Sequence, residues 1–196
     1  LLAAWERLGR PTFAAACCSC VKVLNRFVPE IPVMSLYEHP ALKEVSAQAL
    51  FDTAAVFDPC SARETPQIRT AVRRLAAAAG TKLEERKEPG QCCGYGGHMK
   101  VANPKLYHRI AQERAEETPL PYLVYCANCR EVFLSQGKPC RHILEQLFGA
   151  EERTFTISEK HRNLLRLKGE LMQRMEGTTF TPQTHPWDEL KLDIPE

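Results

Sequence analysis

Cys92 and Cys93 are adjacent and are followed at once by Gly94, Tyr95, Gly96 and Gly97. Two neighbouring thiols beside a small residue suit a metal cluster better than a disulfide. They do not stand alone. Cys60 closes Asp58-Pro59-Cys60 upstream, and Cys126-Ala127-Asn128-Cys129 follows downstream, with the interval from Cys60 to Cys92 repeated from Gly94 to Cys126. Thiolate sulfur is a soft ligand, and sites with four or more cysteines select zinc or iron–sulfur clusters. A Cys-x-x-Cys at a helix start turns two sulfurs toward one ion, where amide N–H groups and the positive end of the helix dipole favour thiolate charge. Side chains of adjacent residues in an extended stretch point apart, so Cys92 and Cys93 are suited to reach two metals of one polynuclear cluster. Gly94, Gly96 and Gly97 leave backbone free to approach inorganic sulfide and donate N–H bonds that tune a cluster's potential.

The elements that must carry these thiols alternate in type. Phe13 to Ala16 is a short apolar run ending at Cys17, and Val21, Leu24, Phe27 and Val28 after Cys20 have helical spacing. Strand, Cys-x-x-Cys and helix recur at Tyr122 to Tyr125, Cys126 and Cys129, and Val132 and Phe133. The sequel recurs too: Pro32 to Glu38 parallels Pro139 to Glu145, with a small indel between it and the Cys-x-x-Cys. This reads as an internal duplication whose first copy lacks its front part. Between the copies, Ala54 to Phe57 reads as a buried strand delivering Cys60. Thr65 and Pro66 read as N-cap and first-turn proline of a helix carrying Ile68, Val72 and Leu75 and stopped by Gly80. Asn103-Pro104 opens another helix through Leu106 and Ile110 toward Glu117. Such alternation predicts an α/β fold with small parallel sheets and packed helices, and in these sheets ligands gather at the carboxyl ends of strands. Beyond residue 150, Ser158 is expected to cap a basic helix carrying Leu164, Leu165, Leu167, Leu171, Met172 and Met175. An extended polar tail with Pro182, Pro186 and Pro195 follows.

Composition narrows the function classes. A chain of 196 residues with 44% apolar content can bury a core, and a net charge of +2 gives no footprint for nucleic acid. Nine cysteines, an odd number, in a chain this long argue against a secreted disulfide framework. With no apolar run near the length of a membrane span and no signal-like start, a reducing, cytoplasmic setting is expected. The opening Leu1-Leu2-Ala3-Ala4-Trp5, without Met, reads as a piece of a longer polypeptide.

Together, Asp58-Pro59-Cys60, Cys92-Cys93-Gly94-Tyr95-Gly96-Gly97 and Cys126-x-x-Cys129 resemble the cysteine-rich CCG domain of the heterodisulfide reductase B-type family. The same domain belongs to the iron–sulfur subunits of glycolate, lactate and anaerobic glycerol-3-phosphate oxidising systems. The resemblance divides the chain into residues 1–50, the rear of a first incomplete motif; 51–150, a complete one; and 151–196, an appended helix and tail. It implies that Cys60, Cys92, Cys93, Cys126 and Cys129, with Gly94 beside them, hold a noncubane [4Fe-4S] cluster. Cys17 and Cys20 would be the last two ligands of a second, incomplete site. It further implies an oxidoreductase module that takes electrons from a flavin- or ferredoxin-type donor and passes them to a disulfide or quinone-type acceptor, within a larger chain or complex and without a membrane span. This sequence departs from the family in three ways. The Cys93 to Cys126 interval is a few residues short, Phe57 stands where His is frequent, and the first motif lacks its leading Cys and Cys-Cys-Gly.

Two other chemistries fit the same residues. A zinc ion held by four of the five thiols would make a structural or interaction domain without redox chemistry, and some members of the family carry zinc or a smaller cluster. A thiol–disulfide exchanger built on Cys126-x-x-Cys129 would need a low thiol pKa and no metal, and would leave Cys60, Cys92 and Cys93 without a role. Cys18 and Cys140 match no ligand position and read as packing residues. His98 stands where it could protonate a departing thiolate, or where a loop histidine is simply solvated. Tyr95 reads equally as a cover over the metal site or as packing, and His142 as a neighbour of the Cys129 helix.

Overall fold

A computed structural model describes residues 1–45, 47–96, 99–150 and 157–174. They fall into two compact units, one of Thr12–Glu152 and one of Leu1–Pro11 with Arg153–Glu196. In the smaller unit, α1 (Leu2–Arg7) is followed by a turn that the Trp5 indole closes by donating to the Pro11 carbonyl at 2.8 Å.

The larger unit begins with β1 (Phe13–Ala15), α2 (Cys18–Phe27) and β2 (Val33–Ser35), whose strands pair in parallel with Phe13 opposite Val33. Two short 3-10 turns, Leu36–Glu38 and Pro40–Lys43, follow. Then come β3 (Thr53–Phe57), α3 (Pro66–Ala78), β4 (Lys82–Glu84), α4 (Met99–Ala102), α5 (Pro104–Glu116), β5 (Tyr122–Val124), α6 (Ala127–Ser135), β6 (Cys140–His142) and α7 (Ile143–Phe148). The unit is thus an α/β fold with two small parallel sheets, β1-β2 and β4-β3-β5-β6. In β5-α6-β6, Tyr122 stands opposite Cys140 as Phe13 stands opposite Val33, and these are the positions that the repeat in the sequence aligns, so both strand-helix-strand units share one register. Beyond the second strand they differ, since 3-10 turns follow β2 and a regular helix, α7, follows β6.

Successive strand residues face opposite sides. Ala54, Val56, Leu123 and Tyr125 pack with α3, α7 and, from the N-terminal part, Cys18, Tyr37 and Leu42. Ala55, Phe57, Tyr122 and Val124 pack with α5 and α6. Covered on both faces, β3 and β5 need the apolar runs they have. Phe57, Tyr122 and Phe133 form an aromatic cluster with centroids 4.6 to 5.5 Å apart, and the Arg86 guanidinium lies 4.2 Å from the Phe57 ring.

The caps mostly follow the sequence. Asn103 accepts from the Leu106 amide at 3.0 Å, with Pro104 in the first turn of α5. Thr65 precedes Pro66 as expected but caps nothing with its side chain; its hydroxyl donates back to the Ala62 carbonyl at 3.3 Å, closing the turn after Cys60. The buried face of α5 is Tyr107, Ala111 and Ala115 rather than Leu106 and Ile110, because small residues let the helix approach the Gly94 loop. On α2, Phe27 is exposed, since the two-stranded sheet is too small to cover the helix end.

In the smaller unit, α8 (Ile157–Arg174) begins one residue before Ser158, which therefore lies in the first turn rather than at the cap. Leu164, Leu165, Leu167 and Leu171 are exposed on it. Met175 and the tail with Pro182, Pro186, Trp187 and Pro195 lie outside the described residues. No described helix is long and apolar enough to cross a membrane.

Candidate metal centre

The strand order β4-β3-β5-β6 means that the chain leaves β3 toward one edge and returns past it to β5. Neighbouring β3 and β5 are therefore the point where connections diverge to opposite sides, the place where open parallel sheets form their binding crevice. Cys60 follows β3 and Cys126 follows β5, so the two first cysteines of the pattern stand side by side at this switch point. Cys129 enters with the first turn of α6, and Cys92 and Cys93 come from the loop between β4 and α4.

Arg63 fixes that loop to the Cys60 turn. Its Nε donates to the Gly90 carbonyl at 2.7 Å, and a Cβ at Gly90, whose φ is +76°, would lie 2.8 Å from the Arg63 Cγ. At Gly94, φ is +99° and an added Cβ would meet the Tyr107 carbonyl and the Ala111 amide of α5 at 3.4 Å. Only glycine takes both that turn and that close approach comfortably. The Gly94 amide donates to the Cys92 sulfur at 3.4 Å, so backbone donation to sulfur does occur here. Gly97 and His98 lie outside the described residues. Tyr95 is exposed, and its contribution is its backbone, which hydrogen-bonds Cys93.

Adjacent Cys92 and Cys93 face different partners. Cys92 is within hydrogen-bonding reach of Cys60, whose thiol is pushed up by burial and by the neighbouring Cys92 and Cys93 charges. Cys93, buried, is held below the ordinary thiol range by a hydrogen bond with Cys129, against the opposing effect of burial. Cys126 is lowered to about 6, first by its hydrogen bond with Cys129 and further by the Cys129 and Asn128 amides, again against burial. Buried between these two sulfurs, Cys129 is raised, first by its hydrogen bonds with Cys126 and Cys93 and then by burial. A hydrogen-bonded Cys126–Cys129–Cys93 group thus stands next to a Cys60–Cys92 pair, with Cys60 also feeling the Cys126 charge. Among the described residues, no three His, Cys, Asp or Glu side chains converge closely enough to chelate one ion. The donor set, two adjoining groups of thiols, is of the soft kind that suits zinc or an iron–sulfur centre.

Cys17 and Cys20 are exposed at the start of α2, and the Cys20 amide donates to the Cys17 sulfur at 3.4 Å. They line a cavity of about 590 Å³ together with Ser19, Ser61, Cys126, Asn128 and His142. Its described lining carries no Asp, Glu, Lys or Arg. Cys18 is buried and pushed up to about 12 by burial and the Cys17 charge. Cys140 is buried at the start of β6, the opposite end of the strand pair from Cys126. His142 is held down near 4 by burial. Its Nδ1 accepts from the Leu144 amide at 3.2 Å, which leaves Nε2 as the protonated nitrogen of a neutral ring. It feels both Arg130 of α6 and Glu145, which pair at 2.6 Å, and so does stand by the Cys129 helix.

Sequence reasoning missed Arg63, and it missed a buried network behind the cysteines. Asp58 accepts from Arg73 at 2.8 and 3.0 Å and from the Tyr125 hydroxyl at 2.5 Å. Arg73 also pairs with Glu85 at 2.6 Å. The signal available was position: Asp58 lies just before Pro59-Cys60, and Tyr125 directly precedes Cys126.

The B-type polypeptide of the fumarate reductase (CoM/CoB) of Methanothermobacter marburgensis is 24% identical over 115 residues, covering 55% of this chain and 24% of that protein. The chain therefore spans about a quarter of the length of that curated relative. Residues 54–133, from the heart of β3 to the middle of α6, match the family described as cysteine-rich domain, CCG.

Proposed function

We propose that this chain is an iron–sulfur redox module of a larger heterodisulfide-reductase-like oxidoreductase, with Cys60, Cys92, Cys93, Cys126 and Cys129 holding a noncubane four-iron cluster. The observation that carries the reading is the opposed pairing of adjacent thiols, Cys92 with Cys60 and Cys93 with Cys129. The CCG match and the likeness to one polypeptide of a reductase support a redox module of the iron–sulfur type.

When bound, such a group supplies one-electron transfer at a potential set by the hydrogen bonds to sulfur and by exclusion of water. The protein's own residues supply the rest. Cys93 and Cys126 are biased toward thiolate before any metal arrives, while the raised Cys129 and Cys60 must give up protons on loading. The Gly94 amide on Cys92 and the Tyr95 backbone on Cys93 place donors against sulfur charge. The cavity beside Cys126 is within the size range of small-molecule sites, and its lining, without charged side chains and with a neutral His142, suits an uncharged disulfide or quinone group of the acceptor. A flavin- or ferredoxin-type partner is the donor in this reading, and the setting is cytoplasmic.

The test is iron, zinc and sulfide content with an EPR spectrum on anaerobically purified protein, wild type and Cys93→Ser. We expect on the order of four irons and four sulfides per chain, with the signal lost or altered in the variant. One zinc and no iron after anaerobic reconstitution would instead make this a zinc-stabilised structural or interaction domain.

A further inference from the structure

Tyr37 lies in the 3-10 turn after β2, buried at 1% exposure. Its hydroxyl stands 2.8 Å from the Ala16 carbonyl and 3.3 Å from the Tyr125 carbonyl. Ala16 directly precedes Cys17 and Tyr125 directly precedes Cys126. One buried hydroxyl thus spans the two carbonyls that lead into the two Cys-x-x-Cys turns. A phenol has a single proton to donate, so its bond is shared between the two acceptors and each distance constrains the other. The Tyr37 ring also packs edge-on against Tyr125 at 5.9 Å. From Tyr125 the chain of contacts runs on through its hydroxyl to Asp58, just ahead of Cys60, and from Asp58 to Arg73. Three cysteine-bearing strand ends, those before Cys17, Cys60 and Cys126, are therefore tied by Tyr37, Tyr125 and Asp58.

We propose that Tyr37 is the positioning residue that sets the gap between the Cys17 and Cys126 turns, and with it the width of the cavity both turns line. Among the described residues the Lys22–Glu64 pair at 2.6 Å also joins these parts, but both its side chains are exposed and it holds little. Tyr37 is shielded, so its hydrogen bond keeps its value and its loss leaves a carbonyl short of a donor. The role concerns the placement of the turns and does not depend on which metal the five thiols hold.

The experiment is the rate of iodoacetamide alkylation at each cysteine, read by mass spectrometry on the reduced full chain with its metal removed, so that no thiol is masked by a ligand bond. The variants are Tyr37→Phe and, as control, Tyr122→Phe, which removes a hydroxyl of the same kind donating to the Arg114 carbonyl at 2.7 Å, at the start of β5. Loss of one buried hydrogen bond raises the population of an open arrangement about fivefold, so Cys17 and Cys126 are expected to react about fivefold faster in Tyr37→Phe. Cys140 should not change in either variant, and Tyr122→Phe should leave Cys17 and Cys126 at wild-type rates. Unchanged rates in Tyr37→Phe, or equal acceleration in Tyr122→Phe, overturn the proposal. Should Tyr37→Phe fail to fold, Tyr125→Phe decides, because it cuts the link to Asp58 while leaving the Tyr37 bridge: Cys17 should keep its wild-type rate, and acceleration of Cys17 overturns the proposal.

Discussion

The two Cys-x-x-Cys turns share a local plan and differ in what surrounds them. Each follows a three-residue strand, opens a helix and precedes a second parallel strand in the same register. At Cys17 and Cys20 the thiols are exposed, and Cys20 is raised by its hydrogen bond with Cys17. At Cys126 and Cys129 they are half-buried and buried, and Cys126 is lowered to about 6. A helix start alone therefore does not activate a thiol. Cys126 is lowered by its hydrogen bond with Cys129 and by the Cys129 and Asn128 amides, and it is lowered in spite of the burial that the larger sheet imposes. The backing differs accordingly. Counted from the first cysteine of each turn, buried Phe133 corresponds to half-buried Leu24, buried Val132 to exposed Val23, and Tyr125 to Ala16.

If backing makes the difference, removing it should hurt only one turn. Phe133→Ala empties the aromatic cluster of Phe57, Tyr122 and Phe133 and should cost about 3–5 kcal/mol. Leu24→Ala, at the matching position, should cost about 1 kcal/mol, since its side chain already meets water. Urea midpoints at constant slope measure both. Equal losses would mean that the two helices are equally anchored and would remove the basis of the contrast.

Next in size is the anchor that only the second turn has. Asp58 is 1% exposed and is neutralised by Arg73, whose own protonated form is favoured by Glu85 and Asp58. Arg73→Leu strands a buried carboxylate, and breaking such a pair from one side costs about 3 kcal/mol. Asp58→Asn in the same background should recover part of that loss, because it removes the stranded charge. A double-mutant cycle by denaturant unfolding checks this, and additive losses would show that the pair is not coupled.

How far the sequence foretold this follows from which forces are local. The β3 and β5 strands and the start of α5 were legible because apolar runs and an Asn-Pro cap act within a few residues. The small indel in the repeated segment reappears in the strand register, where the Phe13–Val33 pair corresponds to Tyr122–Cys140. Which way Cys92 and Cys93 turn was also legible in outline, since neighbouring side chains diverge. Strand β4 was not read, because Lys82 to Glu84 is a short polar edge strand recruited by pairing to Thr53 through Ala55. Tyr37, Asp58, Arg63 and Arg73 were missed as a group for one reason. Their partners lie 15 to 88 residues away, and no spacing rule links a tyrosine after one strand to the carbonyl before another turn's cysteine. The thiol proton distribution was equally hidden, because it depends on the approach of Cys93 to Cys129 from a different loop.

The smallest effect tests the electrostatic half of the contrast. In metal-free, reduced protein, Cys126 titrates near 6 against an ordinary 9.0, so its folded value lies below its unfolded one. The thiolate's stabilisation is then fully present above pH 9 and is lost as pH falls through about 6. Cys20 has the opposite sign: its raised value means that its contribution is present below the ordinary range and fades as pH rises above it. Site-resolved alkylation against pH should show Cys126 near its plateau at about pH 7 and dropping about tenfold per unit below about 6, while Cys20 is still gaining rate beyond about pH 9. Replacing Cys129 by Ala should move the Cys126 inflection upward, because the first cause of its lowered value is the Cys129 hydrogen bond. Coincident inflections for Cys20 and Cys126 would mean that the helix start governs both turns alike. Separate inflections that merge in Cys129→Ala would locate the difference in the hydrogen bond that Cys129 makes with Cys126.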